Sequence, residues 1–108
     1  MDLPQTVSVQ DVKALLDSKA SFCLIDVRQD WELDLCRLEN SLNIPLNSLP
    51  QRLEEIPTDI PLFTLCHHGV RSQQAAVYLK NAGFQNVSNI KGGIDAWAKE
   101  IDTTLKTY

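Results

Sequence analysis

Seven consecutive residues, Cys66-His67-His68-Gly69-Val70-Arg71-Ser72, combine a nucleophile with the means to hold an anion against it. They follow an apolar run, Leu62-Phe63-Thr64-Leu65, that reads as a buried strand, and they lead into an Ala-rich stretch that reads as a helix. The first turn of a helix leaves its N–H groups unpartnered and carries a partial positive charge. An anion in the loop is therefore favoured, and so is a thiolate over a thiol. Cys66 is expected to be acidic and nucleophilic. Gly69 lets the chain turn with φ of either sign and lets backbone approach a ligand, while Arg71 adds a cation with a planar fork of donors. Such a loop can hold a tetrahedral anion against sulfur.

Other chemistries fit less well. Cys66, His67 and His68 crowd three metal-ligand types into successive positions with no second cluster, so no metal site is expected. A dithiol redox motif would need cysteine where Gly69 stands. His67 or His68 as a base for Cys66 would require neighbours in a tight loop to aim at each other; both are expected instead to line the rim and tune which molecules dock. The Arg71 side chain faces the site or points outward, and the sequence leaves that open. Cys66 is thus the catalytic candidate, with His67, His68, Gly69, Val70, Arg71 and Ser72 as candidates for binding substrate.

The surrounding chain supplies the elements that must position this loop. Ser8 and Asp11 form a capping-box variant with Val7 and Val12 spaced as a staple across it, and a helix is expected from Val9 to Asp17 with Val12, Leu15 and Leu16 buried. The run Phe22 to Val27 suits a strand covered on both faces, and Cys23 within it reads as a small buried hydrophobe. Asp26 is an exception in that run, with Arg28 nearby as an ion-pair partner. Trp31, Leu33 and Leu35 read as a short helix or turn with Trp31 in the core. Ser41 to Ile44 is a short strand ended by Pro45, and Ser48 to Gln51 reads as a second capping box with Leu49, Leu53 and Ile56 at helical spacing. Ala75, Ala76, Leu79 and Ala82 mark the packed face of the helix after the loop, which Gly83 stops and Phe84 closes. Val87 to Ile90 is a last strand, Gly92-Gly93 turns into a helix ending near Glu100, and the polar tail beyond Ile101 is expected to be loosely held. Strands alternating with helices predict an α/β fold, a parallel sheet with helices on both faces and ligands at the carboxyl ends of its strands.

In order and spacing, several marks resemble the rhodanese (sulfurtransferase) family: Asp26-Val27-Arg28, Trp31-Glu32, Asn43-Ile44-Pro45, the Cys66 loop, and Gly92-Gly93 followed by Ala96-Trp97. The resemblance implies one rhodanese-like domain over residues 1–108, with a five-stranded, mostly parallel sheet whose central strand precedes Cys66. It also implies transfer of a sulfane sulfur, from a small-molecule donor such as thiosulfate to a thiol or cyanide, through a persulfide on Cys66. No metal or organic cofactor is implied. A module that relays sulfur with a partner protein is the alternative. Cysteine phosphatases sharing this fold carry one residue more between cysteine and arginine than the four found here, which favours sulfur over a phosphate ester. Where many rhodaneses have Gly-His and Pro-Gly, this chain has Cys36-Arg37 and Glu39-Asn40. Cys36 reads as an incidental cysteine, the alternative being a second sulfur carrier or a disulfide partner of Cys66.

At 108 residues the chain can bury a real core without staples. Its net charge of −4 and lack of a basic cluster argue against nucleic acid as a partner. No apolar stretch approaches a membrane span, Met1 to Gln5 shows no sign of a secretory signal, and an odd number of scattered cysteines suits a reducing compartment, so the cytoplasm is expected.

Overall fold

A computed structural model describes residues 4–108, so part of the N-terminal segment read above for a signal lies outside the described residues. Strands β1 (Gln5–Val7), β2 (Cys23–Asp26), β3 (Leu42–Asn43), β4 (Leu62–Leu65) and β5 (Val87–Ile90) form one sheet in the order β1-β5-β4-β2-β3. Every pairing is parallel, so the sheet is wholly rather than mostly parallel, and β4 lies at its centre as expected. Among the described residues no helix is long and apolar enough to cross a membrane.

Alternation along the strands splits the core in two. Ile25, Leu62, Cys66 and Val87 face one cluster, which Ala75, Ala76 and Leu79 of helix α3 (Val70–Asn81) complete. Leu24, Phe63, Leu65 and Ile90 face the other, filled by Val9 and Val12 of α1 (Val9–Asp17) and by Ile94 and Trp97 of α4 (Gly93–Glu100). Small alanines let α3 lie close to the sheet. Ser8 caps α1 as read, its hydroxyl accepting from the Asp11 N–H while the Asp11 carboxylate accepts from the Ser8 N–H. Gly83, at φ +106°, ends α3, and the Phe84 N–H donates back to Leu79 C=O.

Four expectations need correction. Leu16 is exposed rather than buried, because the inner face of α1 runs through Val9, Val12 and Leu15. Ser48 caps no α-helix: the segment forms two 3-10 stretches, Leu46–Gln51 and Leu53–Glu55, with Pro50 inside the first. The first stretch begins at Leu46, so Pro50 is its fifth residue, where an α-helix would use the N–H that proline lacks. Leu49 and Ile56 still reach the core. Trp31, on α2 (Asp30–Leu35), is 62% exposed. Its neighbour Glu32 is turned inward by hydrogen bonds, and one residue is about 100° around a helix, so Trp31 points out. Cys23 is only half-buried, although burial still pushes its thiol pKa up.

Candidate active site

Cys66 follows the last residue of the central strand and is 1% exposed. The loop turns at Gly69, whose φ of +106° is costly for any residue with a Cβ, and α3 starts on the next residue. The turn brings the Gly69 N–H to 3.1 Å from Cys66 Sγ, as a donor to sulfur. On the other side Cys66 Sγ donates to Ser72 Oγ at 3.3 Å; Ser72 donates to Asn89 Oδ1, and Asn89 Nδ2 donates to the Gly69 C=O at 3.3 Å. Thr64 Oγ1 donates to the Ser72 C=O at 2.8 Å, which ties the first turn of α3 to the sheet. The ring from sulfur through Ser72 and Asn89 back to Gly69 fixes the loop around the thiol.

The other flank is tied to α4. The Cys66 and His67 carbonyls accept from the N–H groups of Ile94 (2.9 Å) and Asp95 (3.1 Å). A side chain on Gly93, at φ +61°, would overlap those same two carbonyl oxygens. Glycine is therefore required where α4 begins.

Arg71 lies in the first turn of α3, and Glu32 sets its direction. Arg71 Nη1 donates to Glu32 Oε2 and Nη2 to Oε1, both at 2.7 Å. The Gln29 N–H and the Tyr108 hydroxyl also donate to Glu32, so its carboxylate accepts four bonds while buried. The Arg71 bonds chiefly, with the Gln29 and Tyr108 bonds adding, pull the Glu32 pKa down to about 2 against the desolvation that opposes them. The same bonds raise Arg71, and the charge of a Cys66 thiolate adds to that rise. Arg71 is thus held by Glu32 in the first turn of α3.

Arg28 is wholly buried and meets the same Tyr108 hydroxyl that donates to Glu32. Its Nε and Nη2 grip the Asp26 carboxylate at 3.0 and 2.8 Å, its Nη2 also donates to the Cys36 C=O at 2.9 Å, and its Nη1 donates to the Tyr108 hydroxyl at 3.2 Å. This is the structural ion pair expected from Asp26 and Arg28, with every donating edge of the guanidinium used. Cys36 packs with Leu65 and Trp97 in the cluster that does not hold Cys66.

The tail corrects another expectation. Far from loose, Ile101, Leu105 and Tyr108 pack against the α1–α4 side of the core, and the Tyr108 ring stacks on His67 with centroids 3.8 Å apart and planes within 3°. Desolvation pushes the Tyr108 hydroxyl up to about 12, with its bond to Glu32 adding to the rise, so it stays protonated and donates to that carboxylate. Burial, with His68 alongside, lowers the His67 pKa and favours the neutral ring. His68 and Val70 are exposed at the rim.

The seven residues singled out from sequence form the loop after β4 and the first turn of α3, with the Arg71 side chain turned to Glu32. Sequence reading missed the support of Asn89 and Tyr108 and the burial of Glu32. An amide side chain inside the strand expected from Val87 to Ile90 was the one available signal for Asn89.

The chain matches the family described as "Rhodanese-like domain" over residues 8–100. It is 39% identical to the Danio rerio adenylyltransferase and sulfurtransferase MOCS3 over 96% of this chain, and it spans 28% of that relative's length. With the Vibrio cholerae thiosulfate sulfurtransferase GlpE it shares 33% identity over 84% of this chain and 85% of the relative. Among solved structures, a rhodanese-related protein from Thermoplasma volcanium superposes with a TM-score of 0.82 at 28% identity, covering 90% of this chain and 93% of that one. The sheet order, the cysteine at the end of its central strand and these likenesses agree: the chain belongs to the rhodanese-like domain family of sulfurtransferases.

Proposed function

We propose that this protein moves a sulfane sulfur from a small anionic donor, thiosulfate being the type, to a thiol or cyanide through a persulfide on Cys66. The Cys66 thiolate attacks the outer sulfur of thiosulfate; a new S–S bond forms, the old one breaks, and sulfite leaves with its electron pair. Cyanide then attacks the terminal sulfur of the persulfide and leaves as thiocyanate, returning the electron pair to Cys66. A thiol acceptor would carry the sulfur away as its own persulfide. Neither step calls on a cofactor.

The observation that carries this reading is the Gly69 N–H donating to Cys66 Sγ at the start of α3. The N–H groups of Val70, Arg71 and Ser72 have no partner within the helix and would receive the anionic donor, with Arg71 adding charge. His67 and His68 would shape the rim. Ser72, by rotating its hydroxyl toward sulfur, can donate to the thiolate and then to the persulfide anion. Three free cysteines suit a reducing, cytoplasmic setting.

A second reading, relay from a protein donor, is favoured by the likeness to the Danio rerio protein and by the exposed Trp31 and Val70 at the rim. Intact-mass measurement after incubation with thiosulfate tests the proposal. One added sulfur that is lost to cyanide, and never gained by Cys66→Ala, supports it. Sulfur gained only from a protein persulfide donor supports the relay, and none from either donor overturns both.

A further inference from the structure

Asp95, on the first turn of α4, stands beside the two histidines of the sulfur loop. One ligand-capable atom from each of His67, His68 and Asp95 lies within 4.8 Å of the others. We propose that these three side chains form a binding site for a divalent transition ion of the Zn2+ class, with one coordination position left open. The proposal is independent of the sulfur-transfer reading, which needs no metal.

Chemistry and placement both support the site. Two imidazoles and one carboxylate make a donor set that borderline divalent ions accept, and three protein ligands with an open position is the pattern of an accessible zinc site. Asp95 is remote in sequence from the adjacent pair His67-His68, but the backbone joins them: the Asp95 N–H donates to the His67 C=O at 3.1 Å, beside the bond from Ile94 to Cys66. Gly93 permits that approach, since a Cβ there would overlap the same carbonyls. The His67 ring is held in place by its stack on Tyr108, and its edge meets His68 with centroids 3.9 Å apart. His67 Nε2 is buried with no hydrogen-bond partner among the described residues, and a buried ring nitrogen is disfavoured without one. The Asp95 carboxylate is now paired with Lys99 at 2.9 Å, and Lys99 is a well-exposed side chain that can swing away and yield to an ion.

The test uses the untagged, full chain carrying Cys66→Ser, so that the reactive thiol contributes no ligand. Zn2+ is titrated near neutral pH by calorimetry, with circular dichroism to confirm the fold of each variant. The expected result is one Zn2+ per chain, with His68→Ala and Asp95→Asn each weakening binding by about tenfold or more. Loss of the His68 ring resonance from its ion-free position during the titration is the second expected readout. Absence of stoichiometric binding, or binding whose affinity neither substitution changes, overturns the proposal.

Discussion

Replacing Glu32 by Gln removes one negative charge from a carboxylate that accepts bonds from Arg71, Gln29 and Tyr108. The amide keeps the shape, but its NH2 meets an Arg71 donor. Lowering a carboxyl pKa from 4.5 to about 2 corresponds to a ceiling of roughly 3 kcal/mol of stability at neutral pH. Arg71 is about a third exposed and regains hydration when the pair opens, so about 2 kcal/mol is the expected loss in Glu32→Gln. The sign with pH follows from the depressed folded value. The contribution is complete above the unfolded pKa and falls away as pH drops toward 2. By pH 3.5 the wild type has lost about 40% of this contribution, or about 0.8 kcal/mol, whereas the variant has nothing there to lose. Urea unfolding of both proteins at pH 7 and pH 3.5 measures the difference, and the other carboxylates cancel in it. A stability gap that stays constant between those pH values would refute the account of Glu32.

Three further outcomes are expected. Ser72→Ala removes the hydroxyl between Cys66 and Asn89, and a bond to a charged sulfur is worth about 1.5–3 kcal/mol, so sulfur loading from thiosulfate slows by roughly tenfold or more while the fold persists; an unchanged loading rate excludes that role. Tyr108→Ala loses both the His67 stack and the hydroxyl bonds, costing about 2–4 kcal/mol in urea unfolding, and Tyr108→Phe costs about half as much; wild-type stability in both would mean the tail does not dock. Gly93→Ala forces a Cβ onto the Cys66 and His67 carbonyls at positive φ, and a loss of about 2–4 kcal/mol with a lower Tm is expected.

What could be read from sequence was what is local. The apolar run into Cys66, the glycine three residues later and the alanine spacing of α3 are each a short-range pattern, and the loop emerges from them without knowledge of the rest of the chain. Trp31 was misplaced because counting apolar residues favours tryptophan inside, while the partner that turns Glu32 inward, Arg71, is remote in sequence. Tyr108 was missed for a related reason. A polar tail carries no periodic signal, and its anchor is a ring stack and a shared hydroxyl that exist only once the chain has folded. Asp95 belongs to the same class, since its neighbours His67 and His68 are brought to it by backbone bonds between the loop and α4.

The bonds from Ile94 and Asp95 to the loop carbonyls, together with the left-handed turns at Gly69 and Gly93, have a consequence for turnover. Their conformational entropy is surrendered once, when the chain folds, and not again at each arrival of a donor. The cradle is already formed by the chain itself, so on the proposed reading sulfur loading should track collision and bond exchange, with no separate closing motion to wait for.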